Sequence, residues 1–580
     1  VAEPPSLLAV GRVRRELWTA LGLDQELARF GYEAISISAP QLAEDLSALV
    51  DPNQPIELAV AVDSPETLLG RGPDVVVSIP LSSRSAPMEV LRERQSAGQI
   101  ALERRGRGAV EIVLGRDPSP SCWLMDARGA APARLVCGSQ RQAVASLGPW
   151  VARGLPERDL GAEALVLEAW PHKAVAPHVS ALRRLGRYFL SGATSGGSDE
   201  DRFLGRSLPV LFDDGIDALL DTEHVRLGVE PDGDGVKARL SAELSGTSSW
   251  TARTLKSLAS GGHSARDSFA KLPADTQLAW FFEGPAPERI REARGALAQW
   301  LRAYLGPGYE QRTIELVVAT FVPDAPVAYA EGDAYGKDAS EHDGGYAIWE
   351  RTLSTYGWHV MAYSAPSKEL LPRLEAGMKA YNSGDLGRFA YAELPRLCKG
   401  LGKIRKKPLP RGMPPGSAVF ELPLPGKFFD ACAARWSTPR GKPAPNESIV
   451  VVMVPDGDRT WIGFGPRETD MVRRVTALAG TSSGAPAGWQ RFSTLLGDES
   501  VRAGGFSSLA GFGGLFRFLS MSEPYRWRRE YLSRLLNRGE VPAAFSLEVR
   551  SEPRLRADLT LMVPGAVLAD LQASPVSFMP

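Results

Sequence analysis

The sequence predicts an α+β protein of two or more lobes, with mixed or antiparallel sheets built from hairpins and helices packed on one face. Three observations carry this. The chain has 580 residues, more than the ~250 to 300 at which a single hydrophobic core stops growing. Apolar and polar residues alternate on both sides of strong turn sequences, and a segment that reads as a strand followed by an amphipathic helix recurs along the chain. Hydrophobic residues make up 44% and charged residues 23%, the proportions of a globular chain, which excludes wholesale disorder.

The hairpins come first. HVRLGVEPDGDGVKARLSAEL (224–244) alternates around Asp232-Gly233-Asp234-Gly235, and SIVVVMVPDGDRTWIGFG (448–465) repeats the same PDGD turn. VPAAFSLEVRSEPRLRADLTLMV (541–563) is a third of the same kind. Strands that arrive as hairpins with helices between them argue for antiparallel or mixed sheets.

The recurring strand-and-helix half covers 133–155, 358–384 and 459–480. In each, an apolar or alternating strand precedes apolar residues at helical spacing, such as Val144, Leu147 and Val151, and Gly154, Gly384 and Gly480 stand where a helix would stop. A second half, a Pro-containing turn leading into a strand, recurs at 271–301 and 412–436, aligning Leu272 with Met413, with a fainter relative at 51–70. The chain therefore reads as diverged copies of one α/β unit. The expected organisation is an N-terminal helical or extended segment (1–50), a first lobe (51–270), and second and third modules (271–410 and 411–580), with linkers at 191–201, 335–345 and 399–416.

Four cysteines are present, Cys122, Cys137, Cys398 and Cys432, with no C-x-x-C and no histidine at metal spacing. CWLMD (122–126) and ARLVC (133–137) flank the turn-rich ARGAAP, and pairing Asp126 with Ala133 sets Cys122 opposite Cys137. Opposed residues of antiparallel strands suit a disulfide, which would place the chain in an oxidising compartment. The alternative is two buried thiols. Cys398 and Cys432 are a weaker second pair.

Lys plus Arg (67) nearly cancels Asp plus Glu (68), so no overall field draws nucleic acid or an acidic membrane. The basic run Lys403 to Arg411 has no interleaved aromatics and reads as a solvated linker. No apolar stretch reaches the ~18 to 20 residues of a transmembrane helix. Val1 fits a mature chain with its export signal removed or a cytosolic start.

Candidate chemistry is sparse. None of the six histidines (172, 178, 224, 263, 342, 359) sits in H-E-x-x-H, and Pro177 separates His172 from His178. His224 and His359 read as half-buried strand residues. Gly463-Phe464-Gly465 follows a strand and opens a helix, but the third glycine of a dinucleotide loop is missing and the strand comes from a hairpin. The acidic groups Asp232/Asp234 and Glu331, Asp333, Asp338, Glu341 and Asp343 match no EF-hand and read as solvated turns. No metal and no cofactor is expected. The glycine-rich apolar stretch 504–521, with Phe506, Leu509, Phe512, Leu515 and Phe516, reads either as core or as an exposed patch for a protein partner or hydrophobic ligand.

The hairpin SCWLMDARGAAPARLVCG, the GPWVARGLP that follows, the 207–244 region and the LPADTQLAW turn and strand resemble a group of large secreted proteins and lipoproteins of myxobacteria with tandem α/β modules. The resemblance covers roughly residues 50–300. It implies export from the cytoplasm and brings no activity, ligand or site residue. The expectation that follows is a non-catalytic binding or scaffold protein of the periplasm, outer envelope or extracellular space. The alternatives are a subunit of a large envelope assembly, and a hydrolase whose carboxylates meet only in three dimensions. Ligand, partner and oligomeric state are left open.

Overall fold

A computed structural model describes residues 3–4, 6–20, 46, 48–62, 73–105, 108–113, 121–127, 132–138, 140–193, 211–262, 264–305, 311–321, 325–332, 358–383, 403–424, 447–465, 467–480, 487–509 and 535–573. The chain divides into two compact units. The first comprises Val1–Phe189, Pro209–Ala252 and Glu552–Gly565, and the second Leu190–Leu208, Arg253–Ser551 and Ala566–Pro580.

The first unit contains β1 (Leu7–Val13), β2 (Ile56–Ala61), β3 (Asp74–Leu81), β4 (Ala101–Arg104), β5 (Ala109–Val113), β6 (Ser121–Met125), β7 (Ala133–Gly138), β8 (Leu165–Ala169), β9 (Thr222–Asp232), β10 (Gly235–Leu244) and the last strand of the chain, β20 (Leu555–Val563). All pair antiparallel, in the order β4-β5-β6-β7-β3-β2-β1-β8-β9-β10-β20. The second unit contains β11 (Leu278–Phe282), β12 (Val327–Gly332), β13 (Trp358–Tyr363), β14 (Arg405–Lys407), β15 (Ala418–Leu424), β16 (Glu447–Asp456), β17 (Arg459–Gly465), β18 (Val501–Ser508) and β19 (Pro542–Arg550). These too are antiparallel, in the order β14-β15-β16-β17-β13-β12-β11-β18-β19.

The two orders match over nine strands, the first running on through β10 and β20. Adding ten to each strand number from β4 to β9 converts the first into the second, including the departure from sequence order in which β7 pairs with β3 and β17 with β13. The chain is thus a tandem duplication of one topology. All three recurring segments form a strand and then a helix: β7 with Arg141–Arg153, β13 with Ser367–Asn382, and β17 with Glu468–Gly480. The 133–155 and 459–480 segments hold equivalent places. The 271–301 and 412–436 segments do not, since they supply β11 and β15, whose counterparts are β1 and β5. Their likeness is one of local turn chemistry rather than of position.

In the first unit helices pack on both faces of the sheet over β2, β3 and β7 rather than on one. In the first unit Val144, Leu147 and Val151 of Arg141–Arg153 pack with Val136, Ala59 and Val76, while Leu91 of the helix Ser85–Ser96 packs on the opposite parity with Ile79, Leu135 and Cys137. Apart from Arg134, whose charge Glu57 meets, both parities of β7 are apolar and its six residues are all buried, so this strand demands cover on two sides. Two glycines admit the helices that follow their strands. A Cβ on Gly138 would lie 2.7 Å from Val144, and one on Gly463 would meet Val475 and lie 2.7 Å from Met471.

Both PDGD hairpins form with two-residue turns, Gly233-Asp234 and Gly457-Asp458, whose glycines adopt φ of 62° and 63°. That left-handed region is the one these tight turns require and glycine reaches without strain. The basic run is not a linker: Arg405–Lys407 is β14, paired to β15. Lys406 bonds Glu375 at 2.6 Å and Lys407 bonds Glu468, so acceptors on neighbouring elements hold these two lysines.

Candidate functional site

In the first unit, six adjacent strands place apolar residues in register on one face. Directly paired residues form a row Leu58, Gly11, Leu167, Leu227, Leu240, Leu559 across β2, β1, β8, β9, β10 and β20. One row beyond it on one side runs Ile56, Val13, Leu165, Val229, Ala238, Leu561, and on the other Val60, Ala9, Ala169, Val225, Ala242, Ala557. Because side chains alternate with period two, all eighteen positions project from the same side of the sheet.

This face is only partly covered. Leu240 is 40% exposed, Leu559 40% and Leu561 42%, and most of the other members are half-buried. The intervening residues face the other way, and beside the buried core residues Val10, Ala59 and Val166 they include charged groups. Arg226 bonds Glu163 at 2.8 Å and also Glu168, Arg556 bonds Asp558 at 2.9 Å, and Ser241 bonds Asp558. Ion pairs thus occupy the other side near β9 and β20, while Leu240, Leu559 and Leu561 stand at the surface on the apolar side. Gly11 sits between Leu58 and Leu167 in the leucine row, where a Cβ would come within 2.5 Å of Leu167 Cδ2 and 3.1 Å of Leu58 Cδ2, so the flanking leucines close over the glycine.

In the second unit four adjacent strands carry aromatic rings. Trp280 stacks on Tyr329 at 5.4 Å and His359 on Phe464 at 4.4 Å. The Tyr329 hydroxyl and His359 Nδ1 lie 2.6 Å apart. This ladder runs across β11, β12, β13 and β17, and each of the four residues is half-buried.

The charged groups inside the sheets serve structure. Glu57 is enclosed by Arg12 and Arg134. Glu283 accepts the backbone N–H groups of Ala265 and Arg266 at 3.1 and 2.9 Å. Burial holds its carboxyl above the ordinary range, although those N–H groups and the cations of Arg266 and Arg502 pull the other way. These two carboxyls lie in separate units. Among the described residues no group of three or more His, Cys, Asp or Glu is placed to hold a metal.

The residues named from sequence fare unevenly. Cys122 and Cys137 are paired residues of β6 and β7 and form a disulfide, with Cα atoms 4.1 Å apart. Phe506 belongs to the core: it is 1% exposed and packs edge-on against Phe269. Leu509 is half-buried, whereas Phe512, Leu515 and Phe516 lie outside the described residues, as do Cys398, Cys432, His263, His342 and the acidic loop from Asp333 to Asp343. His224 and His359 are half-buried in strands. No helix among the described residues is long and apolar enough to cross a membrane. The apolar grid was missed. Alternation in 224–244 and 541–563 was its only trace, since the partners of those strands are set by tertiary pairing.

No protein-family model and no curated protein matches the chain. Two crystal structures of TP0453 are similar to parts of it: crystal form IV at 8% identity, over 42% of this chain and 81% of that one, and crystal form III at 9%, over 45% and 88%. Both have a TM-score of 0.22, too low for the likeness to carry a functional argument.

Proposed function

We propose that this chain is a non-catalytic binding protein of the cell envelope or extracellular space that takes an apolar ligand on the β2-β1-β8-β9-β10-β20 face. The single observation behind this is the three-by-six apolar grid, whose leucines Leu240, Leu559 and Leu561 stand at the surface. Covering leucines still exposed by about two fifths removes further apolar area from water at roughly 25 cal/mol per Å². The grid offers no side-chain hydrogen-bonding group, so its natural occupant is an aliphatic chain. The Cys122–Cys137 disulfide supports an oxidising compartment.

The test is native mass spectrometry of the full chain purified from its source, before and after organic extraction, alongside a Leu240→Gln/Leu561→Gln variant. An extractable mass excess that the variant loses supports the reading. A bare chain in both forms, with no gain on incubation with alkyl compounds, overturns it. A larger complex lost in the variant would assign the face to a protein partner instead.

A further inference from the structure

The three apolar rows differ in height, and the step between them runs across the strands. The middle row carries Leu58, Leu167, Leu227, Leu240 and Leu559, with Leu58 and Leu167 closing over Gly11. The row beside it carries only alanine and valine, in the order Val60, Ala9, Ala169, Val225, Ala242, Ala557. Two residues further along β10 and β20, Leu244 pairs with Leu555, so on these strands the alanines lie between leucines. A trough therefore runs from β2 to β20 beside the leucine ridge. No such path follows the strands: a chain laid on β10 would climb Leu240, on β20 Leu559 and Leu561, and on β8 Leu165 and Leu167.

Size and charge narrow the occupant. Each residue on one side of a sheet takes roughly 4.8 by 6.8 Å, so the whole grid covers about 600 Å², and it is bare only in part. A stable protein interface takes about 800 Å² from each partner, which leaves the face short of what a second copy needs. Six strands place β20 about 24 Å from β2. A polypeptide extends by roughly 3.6 Å over three backbone bonds, and an alkyl chain at the same rise per bond covers that span with about 18 to 20 carbons. Among the residues two before and two after the trough positions along their strands, only Glu223 is charged, and it bonds Arg554 at 2.6 Å. A charged headgroup would meet no free counter-charge there.

We infer that the trough holds a single extended, uncharged alkyl chain of about 18 to 20 carbons lying across the six strands, which deepens the apolar-ligand reading above and rests on it. The leucine ridge covers one flank of such a chain, and the chain in turn covers Leu240 and Leu559.

The test offers the full chain an equimolar series of straight-chain alkanols from octanol to tetracosanol, supplied from methyl-β-cyclodextrin, and measures what the isolated protein retains by gas chromatography. Retention is expected to rise about tenfold or more from decanol to octadecanol and to gain nothing further at tetracosanol, whose end overhangs the sheet. Ala169→Leu fills the trough at its third strand and should lower that limit to about dodecanol, whereas Leu240→Gln/Leu561→Gln should lower retention at every length. Octadecanoate and octadecyltrimethylammonium should bind no tighter than octadecanol. A limit at decanol in the parent protein, a series indifferent to Ala169→Leu, or tighter binding of either charged amphiphile overturns the assignment while the apolar reading stands. Retention of no alkanol sinks both. Thermal unfolding of each variant separates lost binding from lost folding, and the parent's own length series decides the matter if Ala169→Leu does not fold.

Discussion

Arg134 of β7 reaches past β3 to Glu57 of β2, its Nη1 2.6 Å from Glu57 Oε2 and 3.0 Å from Ser78 Oγ on the strand between. Arg12 of β1 bonds the other carboxylate oxygen at 2.7 Å. One fully buried carboxylate thus ties four neighbouring strands. Glu57→Gln would leave two guanidinium groups buried without a counter-charge. It is expected to destabilise the first unit by about 3 to 5 kcal/mol, measured as a fall in the urea midpoint of its transition. An unchanged midpoint would mean that water reaches the two arginines.

The Cys122–Cys137 bridge closes a loop with a sequence separation of 15, for which the chain-entropy model gives about 3 kcal/mol. A Cys122→Ala/Cys137→Ala variant should lose that much, and reduction of the parent protein should lower its thermal midpoint comparably. Peptide mapping without reductant should recover the two cysteines in one linked peptide.

Asp221 accepts the backbone N–H groups of Ser249 and Ser248 at 2.7 and 3.1 Å and both hydroxyls at 2.7 Å. Burial would raise its carboxyl, but the Ser249 and Ser248 bonds together outweigh it and hold the group below the usual aspartate range. A depressed folded value means that this stabilisation is complete above the unfolded value, about 3.9, and is lost as pH falls through the folded one. Asp221→Ala should cost about 1 to 2 kcal/mol at pH 7 and flatten the acid limb of the stability curve. A parallel downward shift at every pH would contradict this.

Two glycines on the apolar sides should respond differently to alanine. On Gly505 a Cβ would meet the Ala279 carbonyl oxygen and lie 2.8 Å from Trp280 Cα, and neither can move without shifting the strand. On Gly11 it meets only the ends of Leu167 and Leu58, which can rotate. Within the roughly 1 to 3 kcal/mol typical of overpacking, Gly505→Ala should fall at or above the top and Gly11→Ala near the bottom. Thermal unfolding of the two variants decides the order.

The features readable from the sequence were those written in local chemistry. The PDGD turns, the three strand-to-helix segments and the opposition of Cys122 and Cys137 each depend on residues close in the chain, where turn geometry and the two-residue period settle register. The α+β class followed from them, as did the idea of diverged copies.

Assembly of the strands into sheets was decided by tertiary structure alone. β20 lies more than 300 residues from β10, yet its pairing of Leu559 with Leu240 and Leu561 with Ala238 completes the apolar rows. β7 turns back to β3 past three intervening strands, and Arg134 finds Glu57 only through that crossover. A strand's alternation states which residues share a side. Its neighbours are chosen by the summed burial and hydrogen bonding of the whole sheet, and that is why the candidate site, built from six strands, emerges only in the folded chain.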